Sequence, residues 1–146
     1  AAAGLERLGI RPETTIDLSW MISAPAQGAI LSVTREHNNL AQKALKSIHK
    51  EDVAKCVHQE RAFLRRLEGG CTAPIGAIAQ IYEDTLHFKG CLLSIDGKER
   101  LEVQKRVPLL ELQDDRGLAF AQSQAQKILT QGGKALMASI KEELDK

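Results

Sequence analysis

The fold is decided by the stretch "IGAIAQIYEDTLHFKGCLLSIDGKERLEVQKRVP", which runs from Ile75 to Pro108. Apolar residues alternate with other residues in three parts of it, as they do in strands that bury one face. Glu83-Asp84 and Asp96-Gly97 separate these parts, and Asp-Gly is a strong hairpin signal. The stretch therefore predicts three antiparallel strands. Their predicted buried face consists of Ile75, Ala77, Ala79, Ile81, Leu86, Phe88, Leu92, Leu101, Val103 and Val107.

Helical patterns lie on both sides of this sheet. Before it, an amphipathic helix is predicted from Glu51 to the glycine pair Gly69-Gly70. After it, two more helices are predicted, one on each side of Gly132-Gly133. Burying all three stripes together predicts an α+β fold, with a three-stranded antiparallel sheet covered by helices on one face. The stripe of the first helix consists of Val53, Val57, Leu64 and Leu67.

The first 50 residues do not form an obvious closed unit. Residues 1–8 are predicted to be a helix that Gly9 caps. Extended segments are predicted at Thr14–Ser23 and within Pro25–Arg35, followed by a short helix up to His49. These pieces indicate the end of one domain and a segment that crosses to another. Since the chain also opens within a helix and without methionine, we expect it to be part of a longer protein.

Composition excludes several kinds of partner. The 146 residues carry 20 Lys and Arg against 19 Asp and Glu, for a net charge of +1. Such a balance favours neither nucleic acid nor an anionic membrane as a partner. No apolar run approaches the roughly 20 residues of a membrane-spanning helix. Three cysteines are an odd number, which is typical of free thiols in a reducing, cytoplasmic setting.

A metal site is not expected from the Cys and His residues. Cys56 and His58 are two apart on a predicted helix, so they do not share a face. His87 and Cys91 share a face of a strand but lie about 13 Å apart at the usual rise per residue. Paired ligands at short spacing, which are typical of zinc sites, are missing from the sequence.

Cys71 is the candidate reactive residue. It follows Gly69-Gly70 in a predicted loop, whereas Cys56 and Cys91 have a simple explanation as packed residues. An accessible thiol near cationic groups forms the nucleophilic thiolate more readily. One alternative is a thiol redox protein that uses Cys71.

A second alternative is a non-catalytic α+β module. Its binding face would be Arg61, Arg65 and Arg66 on the predicted helix, which suit an acidic ligand or partner. Nucleic acid is a weaker candidate for this face because Glu60 shares the helix and aromatic residues are few.

Four motifs in this order resemble one enzyme family. They are "AAAGLERLG" at 1–9, "PAQGAI" at 25–30, "ERAFLRRLEGGCTAPIGAIAQ" at 60–80 and "DGKER" at 96–100. The chain resembles the C-terminal portion of hydroxymethylbilane synthase, also called porphobilinogen deaminase. The resemblance covers essentially the whole chain but only part of a complete enzyme.

The resemblance implies a transferase of porphyrin, tetrapyrrole and heme biosynthesis. The family joins four porphobilinogen units into the linear tetrapyrrole hydroxymethylbilane, and ammonia is lost at each step. A dipyrromethane cofactor, attached by a thioether to the cysteine that matches Cys71, primes the chain. Arg7 matches a family arginine that binds the carboxylates of the pyrroles. A further hypothesis is that Gly69 and Gly70 let the growing chain shift past a fixed catalytic centre.

The same resemblance implies how the chain is divided. Residues 1–24 resemble the tail of the second domain, and residues 25–50 a strand and helix of the first domain. Residues 51–146 resemble the complete C-terminal cofactor-attachment domain. The family's general acid/base aspartate has no match here, so we expect no catalytic residue and no activity in this chain alone. We expect a complete enzyme to be monomeric, whereas the chain alone is expected to self-associate through unpaired extended segments.

Overall fold

The structure, a computed structural model, describes residues 2–10, 15–67, 73–113 and 115–144. The predicted α+β fold is confirmed. Its elements in chain order are α1 (Ala2–Arg7), α2 (Asn39–Ile48), α3 (Glu51–Arg66), β1 (Ile75–Tyr82), β2 (Thr85–Leu93), β3 (Arg100–Pro108), a 3-10 turn (Leu109–Leu112), α4 (Asp115–Ile128), a π-helical turn (Leu129–Gly133) and α5 (Lys134–Leu144).

The three strands form one antiparallel sheet in the order β1-β2-β3. The β1–β2 connection is a two-residue turn at Glu83 and Asp84, whose φ angles are +45° and +59°. Positive φ at both positions defines the turn that matches the twist of paired strands, although it usually contains glycine. The β2–β3 connection places Gly97 at φ +72°, as the Asp-Gly signal predicts.

The core lies between one face of the sheet and the helices. The largest fully buried side chains come from α3, β2 and α4 and include Phe63 and Phe88. Their rings pack edge to face with centroids 5.3 Å apart. Gly90 makes room for this contact, since a Cβ at that position would lie 2.5 Å from Cζ of Phe63. The buried faces of all three strands agree with the predicted alternation.

The buried stripe of α3 is rotated relative to the prediction. Val53 is 52% exposed, whereas Phe63 and Leu67 are fully buried. The stripe instead consists of Cys56, Gln59, Glu60, Ala62 and Phe63. The prediction is confirmed for Leu67 and for Leu64, which packs against the core, and it is wrong for Val53 because the core takes up a carboxamide and a carboxylate in the first turns of the helix.

The predicted break at Gly132-Gly133 is confirmed. Residues 129–133 join α4 to α5 across a kink, and Gly132 has φ +110°, which is not a helical conformation. Gly133 is buried, and a Cβ there would lie 2.5 Å from the carbonyl oxygen of Ile128. The two glycines therefore bend the chain so that both α4 and α5 reach the core. None of the described helices combines the length and the apolar character needed to cross a bilayer.

Within residues 2–10 and 15–50, the N-terminal pieces form helices but no strands. Gly9 has φ +67°, and the amide of Ile10 donates to the carbonyl of Leu5, which is the glycine-capped helix end predicted there. Asn38 caps α2 through its side chain, which accepts from the amide of Ala41. The extended segments predicted within 14–35 are not strands in residues 15–35. A strand needs a neighbour for a ladder of backbone hydrogen bonds, and β1 offers these segments a single one, from the amide of Ala77 to the carbonyl of Ser23.

Candidate cofactor-attachment site

The loop that contains Cys71 connects α3 to β1. Residues 68–72 lie outside the described residues, so the structure does not test the predictions for Gly69, Gly70 and Cys71. Both ends of the loop are anchored. Leu67 is 2% exposed, and its amide donates to the carbonyl of Phe63. On the other side, the amide of Leu93 on β2 donates to the carbonyl of Pro74.

A buried carboxylate joins the two elements that flank this loop. Oε1 of Glu60 on α3 accepts from the amide of Ala79 on β1 at 2.7 Å. Oε2 accepts from the amide of Ala26 at 2.6 Å. We call Glu60 with these two amides the Glu60 junction. It fixes α3 and β1 to each other and to the turn that begins at Pro25.

The junction is supported by a second backbone contact. The amide of Ala77 donates to the carbonyl of Ser23 at 2.9 Å, so the segment before the turn lies along β1. Gly76 allows this approach, since a Cβ there would lie 3.0 Å from the carbonyl oxygen of Ile22 and 2.8 Å from Sγ of Cys91. The turn itself has positive φ at Ala26 and Gly28. Few side chains fit a turn with positive φ, and this requirement explains why the stretch "PAQGAI" has small residues at these positions.

Burial and hydrogen bonding act on Glu60 in opposite directions. Glu60 is 7% exposed, and burial raises the pKa of its carboxyl group above the usual value. The two amide donors oppose this shift because they favour the ionised form. A carboxylate with one amide on each oxygen has its main hydrogen-bonding needs met inside the protein, which makes its burial tolerable.

The two described thiols are buried, as the sequence predicts. Cys56 lies on α3 beside the Glu60 junction, where burial and the charges of Glu60 and Asp52 raise the pKa of its thiol to about 11. Cys91 lies on β2, and burial also raises the pKa of its thiol. A raised pKa keeps both thiols protonated and therefore poor nucleophiles at neutral pH.

The arginines of α3 are exposed, but they do not enclose a site among the described residues. Arg61 and Arg65 lie one turn apart on the outer side of the helix, and Arg66 donates to the Gln126 carboxamide at 2.6 Å. Phe63, which lies between them in sequence, is buried in the core. The structure therefore assigns Phe63 to packing, and it leaves the arginines on a solvated face.

Arg7 lies apart from these residues. It is the last residue of α1 and is exposed. Neither α1 nor α2 packs extensively against the sheet or the later helices within the described part of the chain. The structure therefore does not bring Arg7 to the anchored ends of the loop.

Sequence analysis missed the role of Glu60, although a signal was present. Glu60 follows Val53 and Val57 and precedes Leu64 and Leu67 at helical spacing, so an acidic residue interrupts the predicted apolar stripe. An acidic residue that is buried in such a position needs hydrogen-bond donors inside the protein. The sequence does not show that these donors come from backbone amides 34 and 19 residues away.

Known proteins match the chain along most of its length. The family model "Porphobilinogen deaminase, C-terminal domain" matches residues 54–129. A porphobilinogen deaminase of Thermus thermophilus is 39% identical over 146 residues, covering 97% of this chain and 46% of the relative. The enzymes of Carboxydothermus hydrogenoformans and Methylobacillus flagellatus are 34% and 36% identical and are covered to 45%. The chain therefore spans a little under half the length of these relatives.

Fold and site together define a class of protein. Members of this class have an α+β domain with helices on one face of the sheet. In this chain, a cysteine lies in the sequence between α3 and β1. With the family match and these relatives added, the chain belongs to the porphobilinogen deaminase family.

Proposed function

We propose that this chain is the C-terminal portion of a cytoplasmic hydroxymethylbilane synthase and that Cys71 carries the dipyrromethane cofactor. The proposal rests on one observation: a porphobilinogen deaminase is similar to this chain over 97% of the chain's length. In this role the chain belongs to a transferase of heme biosynthesis whose substrate is porphobilinogen and whose product is hydroxymethylbilane. The dipyrromethane supplies a primer on which four porphobilinogen units are joined.

The thiols of the chain support Cys71 as the attachment point. Cys56 is 9% exposed and Cys91 is 3% exposed, and a Cβ at Gly76 would already contact Sγ of Cys91. Neither position has space for two pyrrole rings. Cys71 is the remaining cysteine, and it follows two glycines in the loop between α3 and β1.

The chemistry proposed for Cys71 is nucleophilic attack. Its thiolate attacks the methylene carbon from which ammonia departs, so that one carbon–sulfur bond forms and one carbon–nitrogen bond breaks. Sulfur is a strong nucleophile toward such a carbon, and the resulting thioether is stable. The anchored ends at Leu67 and Pro74 fix where the loop begins and ends. Gly69 and Gly70 would then let the growing oligomer shift past a fixed catalytic centre.

The rest of the proposal concerns the first 50 residues. Residues 1–24 belong to the tail of a second domain, where Arg7 binds pyrrole carboxylates, and residues 25–50 return to a first domain. The exposed apolar side chains of this region support contacts with further protein. The Glu60 junction would fix the crossing segment to the cofactor-attachment domain, residues 51–146.

Intact mass measurement tests the attachment. The chain is coexpressed with the N-terminal half of a relative, such as the one from Thermus thermophilus, and its mass is measured before and after thiol treatment. We expect a stable added mass of two pyrrole units on Cys71. The adduct should be absent in Cys71→Ser and present in the matched variants Cys56→Ala and Cys91→Ala.

Other results would favour other functions. A thiol-reversible adduct on Cys71 would favour a redox protein. No adduct together with tight binding of an acidic ligand, lost on changing Arg61 and Arg65, would favour a binding module.

Activity of the chain alone gives a separate test. We expect no turnover of porphobilinogen by the 146 residues, because the family's general acid/base aspartate has no match in this sequence. Production of hydroxymethylbilane by the purified chain would refute this expectation. In a reconstituted enzyme, Gly69→Ala and Gly70→Ala should slow late elongation more than cofactor attachment, and equal effects would contradict the proposed movement.

A further inference from the structure

The register of β2 and β3 decides which backbone groups face the outer edge of β3. At one end of this ladder, the amide of Ser94 donates to the carbonyl of Glu99, and at the other end the amide of Leu109 donates to the carbonyl of Asp84. The register between these ends is unbroken. Because hydrogen-bonded residues alternate in an antiparallel ladder, odd-numbered residues of β3 direct their backbone groups to β2. Even-numbered residues direct theirs outward.

Three even-numbered residues form the open part of this edge. They are Glu102, Gln104 and Arg106, and all three are exposed. Within the described part of the chain, no group accepts from their backbone amides. Their side chains lie on the sheet face opposite the helices, since the alternating residues Val103 and Val107 are buried in the core. A strand edge of this kind binds an extended segment through backbone hydrogen bonds.

This edge is complementary to itself in an antiparallel arrangement. When Gln104 lies opposite Gln104 of a second copy, Glu102 of each copy lies opposite Arg106 of the other. The backbone groups of all these residues face outward, so each pair exchanges two backbone hydrogen bonds. Opposite charges directly across a ladder stabilise the pairing, and the two carboxamides donate to and accept from each other. Glu102 uses Oε1 to contact Arg100 on its own strand, which leaves Oε2 for the second copy.

Other registers bring like charges together. A shift of two residues in one direction places Arg100 opposite Arg106, and a shift of two in the other direction places Lys105 opposite Lys105. A shift of four residues places Glu102 opposite Glu102 or Arg106 opposite Arg106. A shift of one residue turns the backbone groups of one strand away from the other. The charges of this edge therefore select the register centred on Gln104.

The length of the ladder limits how tightly two copies bind. In the selected register Pro108 lies opposite Arg100, and proline has no N–H to donate, so the ladder is confined to the three central pairs. A single pair of strands buries less surface than the interfaces of stable dimers. Binding through this edge is therefore weak and reversible.

We propose that two copies of this chain bind each other through their β3 edges in the register centred on Gln104, and so join their sheets into one. The proposal goes beyond the function proposed above, because it involves no covalent step and no part of the Cys71 loop. It also differs from the sequence-based expectation, which assigned self-association to extended segments before Arg35. We expect a Kd on the order of 0.1–1 mM, so the chain is a monomer at micromolar concentration.

Reversing the two charges tests the register. Glu102→Arg and Arg106→Glu each place like charges at both charged pairs, so each should weaken self-association about tenfold or more. In a mixture of the two variants, every altered residue meets the opposite charge on the other copy. The mixed dimer should therefore form with an affinity close to that of the parent. Sedimentation equilibrium of the 146-residue chain, from about 10 µM to about 1 mM and with a reducing agent present, measures all four affinities.

NMR of the parent locates the contact. The amides of Glu102, Gln104 and Arg106 should shift with concentration and exchange more slowly with solvent. The amides of Val103 and Lys105 face β2 and should change less. The altered side chains are exposed, so each variant should keep the dispersed spectrum of the folded parent at low concentration.

A matched charge reversal serves as the control. Glu142→Arg makes the same change of charge on the exposed side of α5, and it should leave self-association unchanged. Three results would overturn the proposal. They are the absence of association up to about 1 mM, equal affinities for the parent and both β3 variants, and a mixture that associates no more tightly than either variant alone. None of these measurements depends on cofactor attachment, so a failed mass experiment would leave them standing, and the reverse also holds.

Discussion

Residues 1–50 and residues 51–144 are similar in apolar content but differ in what they bury. Every described buried hydrophobic side chain lies at or after Cys56. In the first region, large apolar residues such as Ile16, Ile30 and Val33 are at least 84% exposed. α2 has no buried residue at all, although it is strongly amphipathic. One region therefore buries its apolar side chains in a core of its own, whereas the described residues of the other leave theirs exposed.

The two regions meet along β1 and α3, at the turn 25–28 and the residues just before it. The Glu60 junction and the contact between Ser23 and Ala77 hold the turn at 25–28 against α3 and β1. Such contacts are directional, and they fix an orientation that apolar packing alone would leave loose. The first region is therefore attached to the second by a few hydrogen bonds and not by a shared core.

The largest expected effect comes from removing a core ring. Phe63→Ala should lower the free energy of unfolding by about 3–5 kcal/mol, because Phe63 is fully buried against Phe88 and Gly90. The matched change in the first region, Ile30→Ala, should change it by less than about 0.5 kcal/mol, since Ile30 is 95% exposed. Urea unfolding followed by circular dichroism measures both values. Similar losses for the two variants would abolish the contrast between the regions.

The next effect concerns the contact between the regions. Glu60→Gln replaces one acceptor oxygen with an NH₂ group that faces a backbone N–H, and it should cost about 2 kcal/mol. Hydrogen exchange at the amides of Ala26 and Ala79 should become at least about tenfold faster. Glu142→Gln on the exposed side of α5 is the control and should change neither. Unchanged exchange at Ala26 would mean that the junction does not hold the two regions together.

A smaller effect depends on pH and belongs to the second region alone. The pKa of Cys56 is raised from 9.0 to about 11, so folding favours its neutral thiol. Stability from this group is fully present below pH 9 and is lost as pH rises through about 11. Relative to Cys56→Ala, the parent should lose about 1–2 kcal/mol across this window. Unfolding free energies of both proteins measured against pH give the result, and parallel curves throughout would contradict it.

The smallest effect comes from two matched glycines. Gly97 and Gly28 have φ angles of +72° and +82°, and a Cβ at either would meet nothing within 4 Å. An alanine is strained by about 1 kcal/mol in this conformation at both positions. Gly97→Ala should therefore lower the free energy of unfolding of the second region by about that amount. Gly28→Ala should leave the urea midpoint nearly unchanged, and equal shifts would show that both regions unfold together.

The sheet could be predicted from the sequence because its signals are local. Alternating residues and the Glu83-Asp84 and Asp96-Gly97 turns specify strands that pair with their neighbours in the chain. The break at Gly132-Gly133 was also predicted, since a glycine pair marks where a helix ends, but the sequence does not show how the two helices pack around the kink. Extended segments were predicted before Arg35 from the same local signals, and residues 15–35 form no strand because only Ser23 among them has a backbone hydrogen bond to the sheet.

The site was predictable only in part. The burial of Cys56 and Cys91 followed from their place in apolar patterns, and both predictions are confirmed. The cofactor role of Cys71 and the carboxylate role of Arg7 came from the family resemblance and stay predictions. The Glu60 junction was not found because its amide donors are distant in sequence, and backbone groups carry no sequence signal of their own.

The way the Glu60 junction meets β1 has a consequence for aggregation. β1 is an outer strand, and its amides at Ala77 and Ala79 point away from β2, where an incoming strand of another molecule would bind. The Ser23 carbonyl and the Glu60 carboxylate occupy both amides, so two of the donors that an incoming strand would need on this rim are not free. A buried negative charge also repels the carbonyl row of any approaching strand. Cross-molecule sheet extension is therefore directed to the opposite rim, at β3.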